Sequence, residues 1–256
     1  MHRIYFQVRS LVVLFILAGF FLPGCSTMSK AQREKNAQAY YKLGISYLND
    51  NQTQPAFIEF QKAVEISPKD KESHYGIGHI YFSQGKYEEA GEAFKKAVRI
   101  DPNFSEAHNY LGTVYERTSE KDKAIAEYQK ALENPQYVTP HFARHNLGMI
   151  YLNTNDLKNA IKEFKGAVQV APDYALAYNG LGQAYYRDGQ YKDALEALNG
   201  AIKIVPDYPE ARFYLGQTYF KIGSSLQARE EFERVIRLAP ESDLAKKAKQ
   251  SLELLR

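Results

Sequence analysis

His141 and His145 stand four residues apart, a spacing that sets two imidazoles on one face of a helix, where they could hold a divalent metal. No cysteine and no clear carboxylate accompanies them, and two ligands make a weak site, so neither a metal nor any other cofactor is expected. His74 and His108 recur at one place in a repeating pattern and read as packing residues. Gly-x-Ser-x-Gly, His-Glu-x-x-His and the glycine-rich phosphate loops are all missing. With no carrier for nucleophilic, hydrolytic or phosphoryl chemistry, the chain reads as a non-enzyme. What remains is the chemistry of binding: 20 tyrosines and 14 phenylalanines without a tryptophan suit half-buried positions whose hydroxyls reach water.

The single cysteine, Cys25, has a different use. Arg3 and Arg9 flank a basic start, and Leu11 to Leu22 reads LVVLFILAGFFL. That run falls short of the roughly 20 apolar residues of a membrane-spanning helix and has the pattern of a signal peptide. Leu22-Pro23-Gly24-Cys25 resembles a bacterial lipoprotein lipobox, with Pro23 where a small or β-branched residue is commoner. The resemblance implies a signal peptide over 1–24, cleavage before Cys25 and lipidation there, then a tether over 25–36. More than one acyl chain on Cys25 would anchor the protein stably. Ser26 stands where an aspartate would retain such lipoproteins in the inner membrane, so the resemblance implies an outer-membrane location facing the periplasm. Loss of Arg3 and Arg9 lowers the formal charge from +3 to +1. So balanced a chain implies no nucleic-acid partner, and no small-molecule substrate is expected.

The elements that position these residues follow from a repeat. Leu or Ile-Gly followed by Tyr occurs at Gly44, Gly78, Gly112, Gly148, Gly182 and Gly216, with spacings of 34, 34, 36, 34 and 34. An alanine follows each glycine by twelve residues (Ala56, Ala90, Ala124, Ala160, Ala194, Ala228), and Pro68, Pro102, Pro172, Pro206 and Pro240 follow five of them by 24. Mid-helix glycine costs about 1 kcal/mol against alanine, so six of them need a packing reason; close approach of two helices, with the alanines as the facing small surface, is the one expected. Asn51, Gly85, Ser119, Asn155, Gly189 and Gly223 mark the turns, five of six tolerating a left-handed backbone. The pattern resembles the tetratricopeptide repeat. It predicts an all-α superhelical solenoid of six repeats, three over 37–138 and three over 139–242, with a capping helix over 243–256.

The family resemblance implies that first helices line a concave groove for peptides or partner helices. The groove positions are then Tyr41, Ile45 and Leu48; Tyr75, His79 and Phe82; Asn109, Thr113 and Glu116; Phe142, His145, Met149 and Leu152; Leu176, Asn179, Gln183 and Tyr186; Glu210, Phe213, Gln217 and Phe220. An exposed aromatic and apolar patch of this kind marks a partner site. No repeat carries the lysine and asparagine pair that grips a terminal carboxylate, so apolar anchors are expected instead.

The repeat slips by two residues between the third and fourth copies, at ALENPQYVTPHFARHNLG from Ala131 to Gly148. Pro135 and Pro140 bracket Tyr137 and stiffen the connection. Pro135, Tyr137, Pro140 and Asn146-Leu147-Gly148 resemble the pilotin group of type IV pilus lipoproteins. The third repeat departs from that group, reading His108-Asn109-Tyr110-Leu111-Gly112 in place of Asn-Asn-Tyr-Gly. The resemblance implies a factor that binds secretin subunits and promotes their delivery and ring assembly. A general periplasmic adaptor that recruits envelope enzymes or proteases stays open beside it.

Overall fold

The computed structural model describes residues 28–255; the apolar leader and Cys25 lie outside them. Among the described residues there are thirteen α-helices and no strand. They pair as α1 (Lys30–Asn49) with α2 (Thr53–Ile66), α3 (Lys71–Ser83) with α4 (Tyr87–Ile100), and α5 (Ser105–Arg117) with α6 (Lys121–Glu133). Then come α7 (Pro140–Asn153) with α8 (Leu157–Val170), α9 (Ala175–Arg187) with α10 (Tyr191–Ile204), α11 (Pro209–Lys221) with α12 (Ser225–Leu238), and a final α13 (Asp243–Glu253). The chain is an all-α solenoid of six helix pairs and a terminal helix. Helix α1 begins at Lys30, so residues 30–36 of the expected tether continue the first repeat's helix.

All six turn positions have a left-handed backbone, with φ of 57° at Asn51, 63° at Ser119, 60° at Asn155 and 73° to 80° at the three glycines. Ser119 is the outlier in type: it adopts the same conformation without glycine's freedom or an asparagine side chain, and a left-handed L-residue costs about 1 kcal/mol or more. Ser119→Gly will therefore raise stability by about 0.5–1 kcal/mol, read as a shift of the urea midpoint. An unchanged or lower midpoint would show that the serine is not strained.

The glycines have a different partner from the one expected. A Cβ on Gly44, Gly78, Gly112, Gly148 or Gly216 would fall within 2.8 Å of the ring of Phe60, Phe94, Tyr128, Phe164 or Phe232, and on Gly182 within 2.5 Å of Leu198. Each of these side chains is fully buried. The first helix thus gives up its side chain to seat a bulky group from the second helix, and the alanines pack elsewhere in the same buried layer. A ring seated this way touches backbone, which explains why the glycine recurs six times.

Each first helix runs close to the first helix of the next pair, from α1 with α3 through α9 with α11, whereas the backbones of consecutive second helices stay farther apart. Second helices therefore fan outward, and first helices line the concave side. The slip is built by three small changes. Helix α6 has 13 residues where the other second helices have 14, the linker before α7 is 134–139 where the others have four residues, and Pro140 opens α7 at its first position. Asn134 organises the linker: its Oδ1 accepts from the Gln136 amide at 2.9 Å, and its Nδ2 donates to the Asn103 carbonyl at 3.0 Å.

Candidate protein-binding groove

Tyr75 sits in a cluster of rings contributed by repeats 2 and 3. Its ring centroid lies 5.2 Å from Phe104, 5.7 Å from Tyr110 and 5.8 Å from Phe94. One turn on, His79 Nε2 lies 3.1 Å from the Tyr110 hydroxyl, and Phe82 meets Tyr87 and Tyr110 edge-on at 5.5 and 5.8 Å. Burial, then the neighbouring Tyr110 and Glu106, pushes the Tyr75 phenol far above its ordinary range. It stays neutral and presents an apolar face.

The longer linker brings Tyr137 into this surface. Tyr137 is buried at 7 % exposure, and burial pushes its phenol up to about 12. With Tyr75, Tyr110 and Phe142 it walls a cavity of about 330 Å³ in which Glu106, Thr113 and Asn146 supply polar groups. Asn146 Nδ2 donates to Asn109 Oδ1 at 3.3 Å, and the Tyr128 hydroxyl donates to Glu116. Burial holds the Glu116 carboxyl above its usual range, partly offset by that hydrogen bond.

On the far side of the cavity Phe142 is 41 % exposed. Its ring stands 4.2 Å from His141 and 5.6 Å from Tyr174, while His145 lies 5.5 Å from Tyr174. The two histidines thus pack on a shared tyrosine. Among the described residues no group of three His, Cys, Asp or Glu side chains is placed to hold a metal. Further along, the Tyr186 hydroxyl lies 3.4 Å from Gln217 Oε1 and Gln217 Nε2 donates to Ser251 at 2.9 Å, tying the groove to α13.

Most of the sequence-derived groove positions fall into three sets. Tyr41, Ile45 and Leu48 lean on the Phe60 cluster, Met149 on the Phe164 cluster and Phe220 on the Phe232 cluster, each half-buried. Tyr75, His79, Phe82, Phe142, His145, Gln183 and Tyr186 keep part of their surface open. Leu152 is the correction: at 1 % exposure it belongs to the core between repeats 4 and 5 and offers no groove surface. Asn109, Asn179 and Phe213 are also buried, at 8 %, 7 % and 9 %; Asn179 is held by a hydrogen bond to the Tyr208 hydroxyl at 3.1 Å. Sequence reasoning missed Glu106 and Thr139, which line the cavity, and Val138, 82 % exposed next to Thr139.

Burial lowers the proton affinity of His74, His79, His141 and His145. The unfolded chain then binds more protons than the folded one as pH falls through the ordinary histidine range, near 6.5. Stability is full above that pH and declines below it. The urea midpoint will fall between about pH 7 and pH 5, and His145→Gln will flatten that fall. A midpoint independent of pH across this window would contradict the buried neutral histidines.

A family model for the TPR repeat matches residues 78–119, 148–189 and 184–223, and models for the tetratricopeptide repeat match 37–70, 59–92, 105–135 and 210–242. This chain belongs to the tetratricopeptide-repeat proteins. The matches leave residues 136–147 uncovered, the segment where the longer linker enters the groove. No curated protein matches the chain. Among solved structures the tetratricopeptide-repeat solenoid is similar to PilF of Pseudomonas aeruginosa, at 18 % identity and a TM-score of 0.78, over 86 % of this chain and 99 % of that one. It is also similar to PilW, a type IV pilus biogenesis factor, at 20 % identity and a TM-score of 0.72, over 83 % and 98 % of the two chains. YrrB, a TPR protein with an unusual peptide-binding site, matches at 22 % identity and a TM-score of 0.63, over 75 % and 97 %. At these identities the likeness is one of fold.

Proposed function

We propose that this protein is a lipid-anchored, pilotin-like factor of the outer membrane that captures secretin subunits in its concave groove for type IV pilus assembly. The observation that carries the reading is the aromatic cavity at the slip. A rigid, proline-bounded linker places Tyr137 beside Tyr75, Tyr110 and Phe142 at the centre of the array, making an apolar anchor site with a polar edge. Such a site suits a short apolar segment of a partner better than a free carboxylate. The likeness in fold and length to PilF and PilW supports the pilus assignment, and the leader with Cys25 supports the anchor.

A photo-crosslinking residue at position 142, in the lipidated full chain, tests both parts from intact envelopes. Secretin monomers are expected to dominate the crosslinked product. Dominance of cell-wall hydrolases or proteases would overturn the pilotin reading in favour of a general adaptor. Cys25→Ser is expected to release the protein from membranes; unchanged fractionation would overturn the anchor.

A further inference from the structure

On the outer face, one repeat lacks what the other five possess. The fourth residue of each repeat faces the residue nineteen positions later on the second helix. In repeat 3 His108 Nδ1 lies 2.6 Å from Glu127; in repeats 4 and 6 Arg144 and Arg212 bond Glu163 and Glu231 at 2.9 and 2.7 Å. Repeat 1 places Lys62 between Glu59, at 2.7 Å, and the Tyr40 ring, 5.6 Å from its centroid. Repeat 5 fills the place with the Tyr178 ring, so close to Gly200 that a Cβ there would fall 2.7 Å from it.

Repeat 2 pairs His74 with Ala93, and the space stays open. A cavity of about 500 Å³ lies between α2 and α4, against about 360 Å³ at the equivalent place between α6 and α8, where Arg144 and Glu163 stand. His74 lines it at 7 % exposure. Its Nε2 lies 3.0 Å from the Pro68 carbonyl, which can only accept, so Nε2 carries the proton. The other nitrogen, Nδ1, is left as an acceptor with no partner among the described residues. Burial, reinforced by nearby Lys96, lowers the proton affinity of His74 and keeps it neutral. Phe57 and Tyr81 give apolar walls, and Glu65, Glu88, Glu89 and Glu92 line the notch with Lys96, Glu92 being paired with Lys95 at 2.9 Å. Glu65, Glu88 and Glu89 have no ion-pair partner among the described residues.

We propose that this notch receives an arginine side chain of a partner protein, docked on the face opposite the groove. The aliphatic stem would lie on Phe57 and Tyr81, and the guanidinium would donate to His74 Nδ1 and to the glutamate rim. Within the chain, a guanidinium already meets a glutamate at this level: Arg144 and Arg212, at the repeat position of His74, donate to Glu163 and Glu231. A partner carboxylate fits poorly, since it would meet three glutamates without an ion-pair partner and an acceptor nitrogen.

The test uses the full chain with labelled histidine rings and the blocked peptide acetyl-Ala-Arg-Ala-amide, followed by NMR. Saturable shifts of the His74 ring are expected, and acetyl-Ala-Glu-Ala-amide should produce none. Glu88→Gln with Glu89→Gln should weaken binding about threefold. His74→Arg with Ala93→Glu, which writes the pair of repeats 4 and 6 into repeat 2, should weaken it at least about tenfold. Unchanged helical circular dichroism and unchanged crosslinking at position 142 would show that fold and groove are intact in these variants. Equal response to the acidic peptide, an unmoved His74 ring, or unchanged affinity in the His74→Arg/Ala93→Glu variant would overturn the proposal. So would a concentration-dependent dimer that the same variant abolishes, because the notch would then belong to a second copy.

Discussion

Phe164→Ala will remove about 3–5 kcal/mol of stability and turn a single urea transition into two. The Phe164 ring is fully buried, and Cβ atoms on Gly148 and Gly180 would come within 2.7 and 2.5 Å of it. It is therefore clamped between the first helix of its own repeat and that of the next. Removing it leaves a cavity walled by two helix backbones, which relax poorly and so retain most of the void. In a solenoid each repeat is held only by its neighbours, so a weakened junction uncouples repeats 5 and 6 from those before. Far-ultraviolet circular dichroism across a urea series, with amide exchange on each half, reads both effects. Phe164→Leu gives a milder control, because Leu198 occupies the same place in repeat 5; its cost should stay near 1 kcal/mol. A single transition with a loss below about 1 kcal/mol for Phe164→Ala would contradict the clamp.

This clamp also marks the limit of what the sequence alone disclosed. The spacing of the six glycines and the turn residues was enough to define the fold, because one local pattern repeated six times excludes other solutions. The glycine's partner was misread because the facing residue lies sixteen positions on, in a second helix whose rotation no single repeat specifies. Leu152 failed as a groove residue for a related reason: its side chain packs into the core between repeats 4 and 5, whereas Phe82 and Tyr186 at the same repeat position stay partly open. Ser119 gave no sign of its left-handed backbone except its alignment with three glycines and two asparagines. The slip was visible as a number, 36 in place of 34, but its effect was not. Only the packed solenoid shows that two added residues turn Tyr137 inward and leave Val138 outside. The vacant place beside His74 was equally hidden, since alanine opposite histidine becomes a cavity only when the ion pairs of other repeats are set beside it.

Phe142→Asp will weaken capture of the groove partner by about 2 kcal/mol or more, roughly thirtyfold, with little change in stability. The ring is 41 % exposed, so the folded protein loses little burial when it is replaced, and exposed substitutions typically cost within about 0.5 kcal/mol. The bound state loses far more. Phe142 stands at the open side of the cavity walled by Tyr75, Tyr110 and Tyr137, and a partner's apolar side chain seated there would have to desolvate the new carboxylate without a cation to pair it. The cavity already holds the Glu106 carboxyl, so nothing there offsets the added charge. Leu226→Asp is the matched control, because Leu226 is 76 % exposed on α12, a second helix away from the groove. Titration of the crosslinked partner, once purified, against both variants separates the outcomes. Loss with Phe142→Asp and retention with Leu226→Asp is expected; the reverse pattern would move the partner from the concave to the convex face.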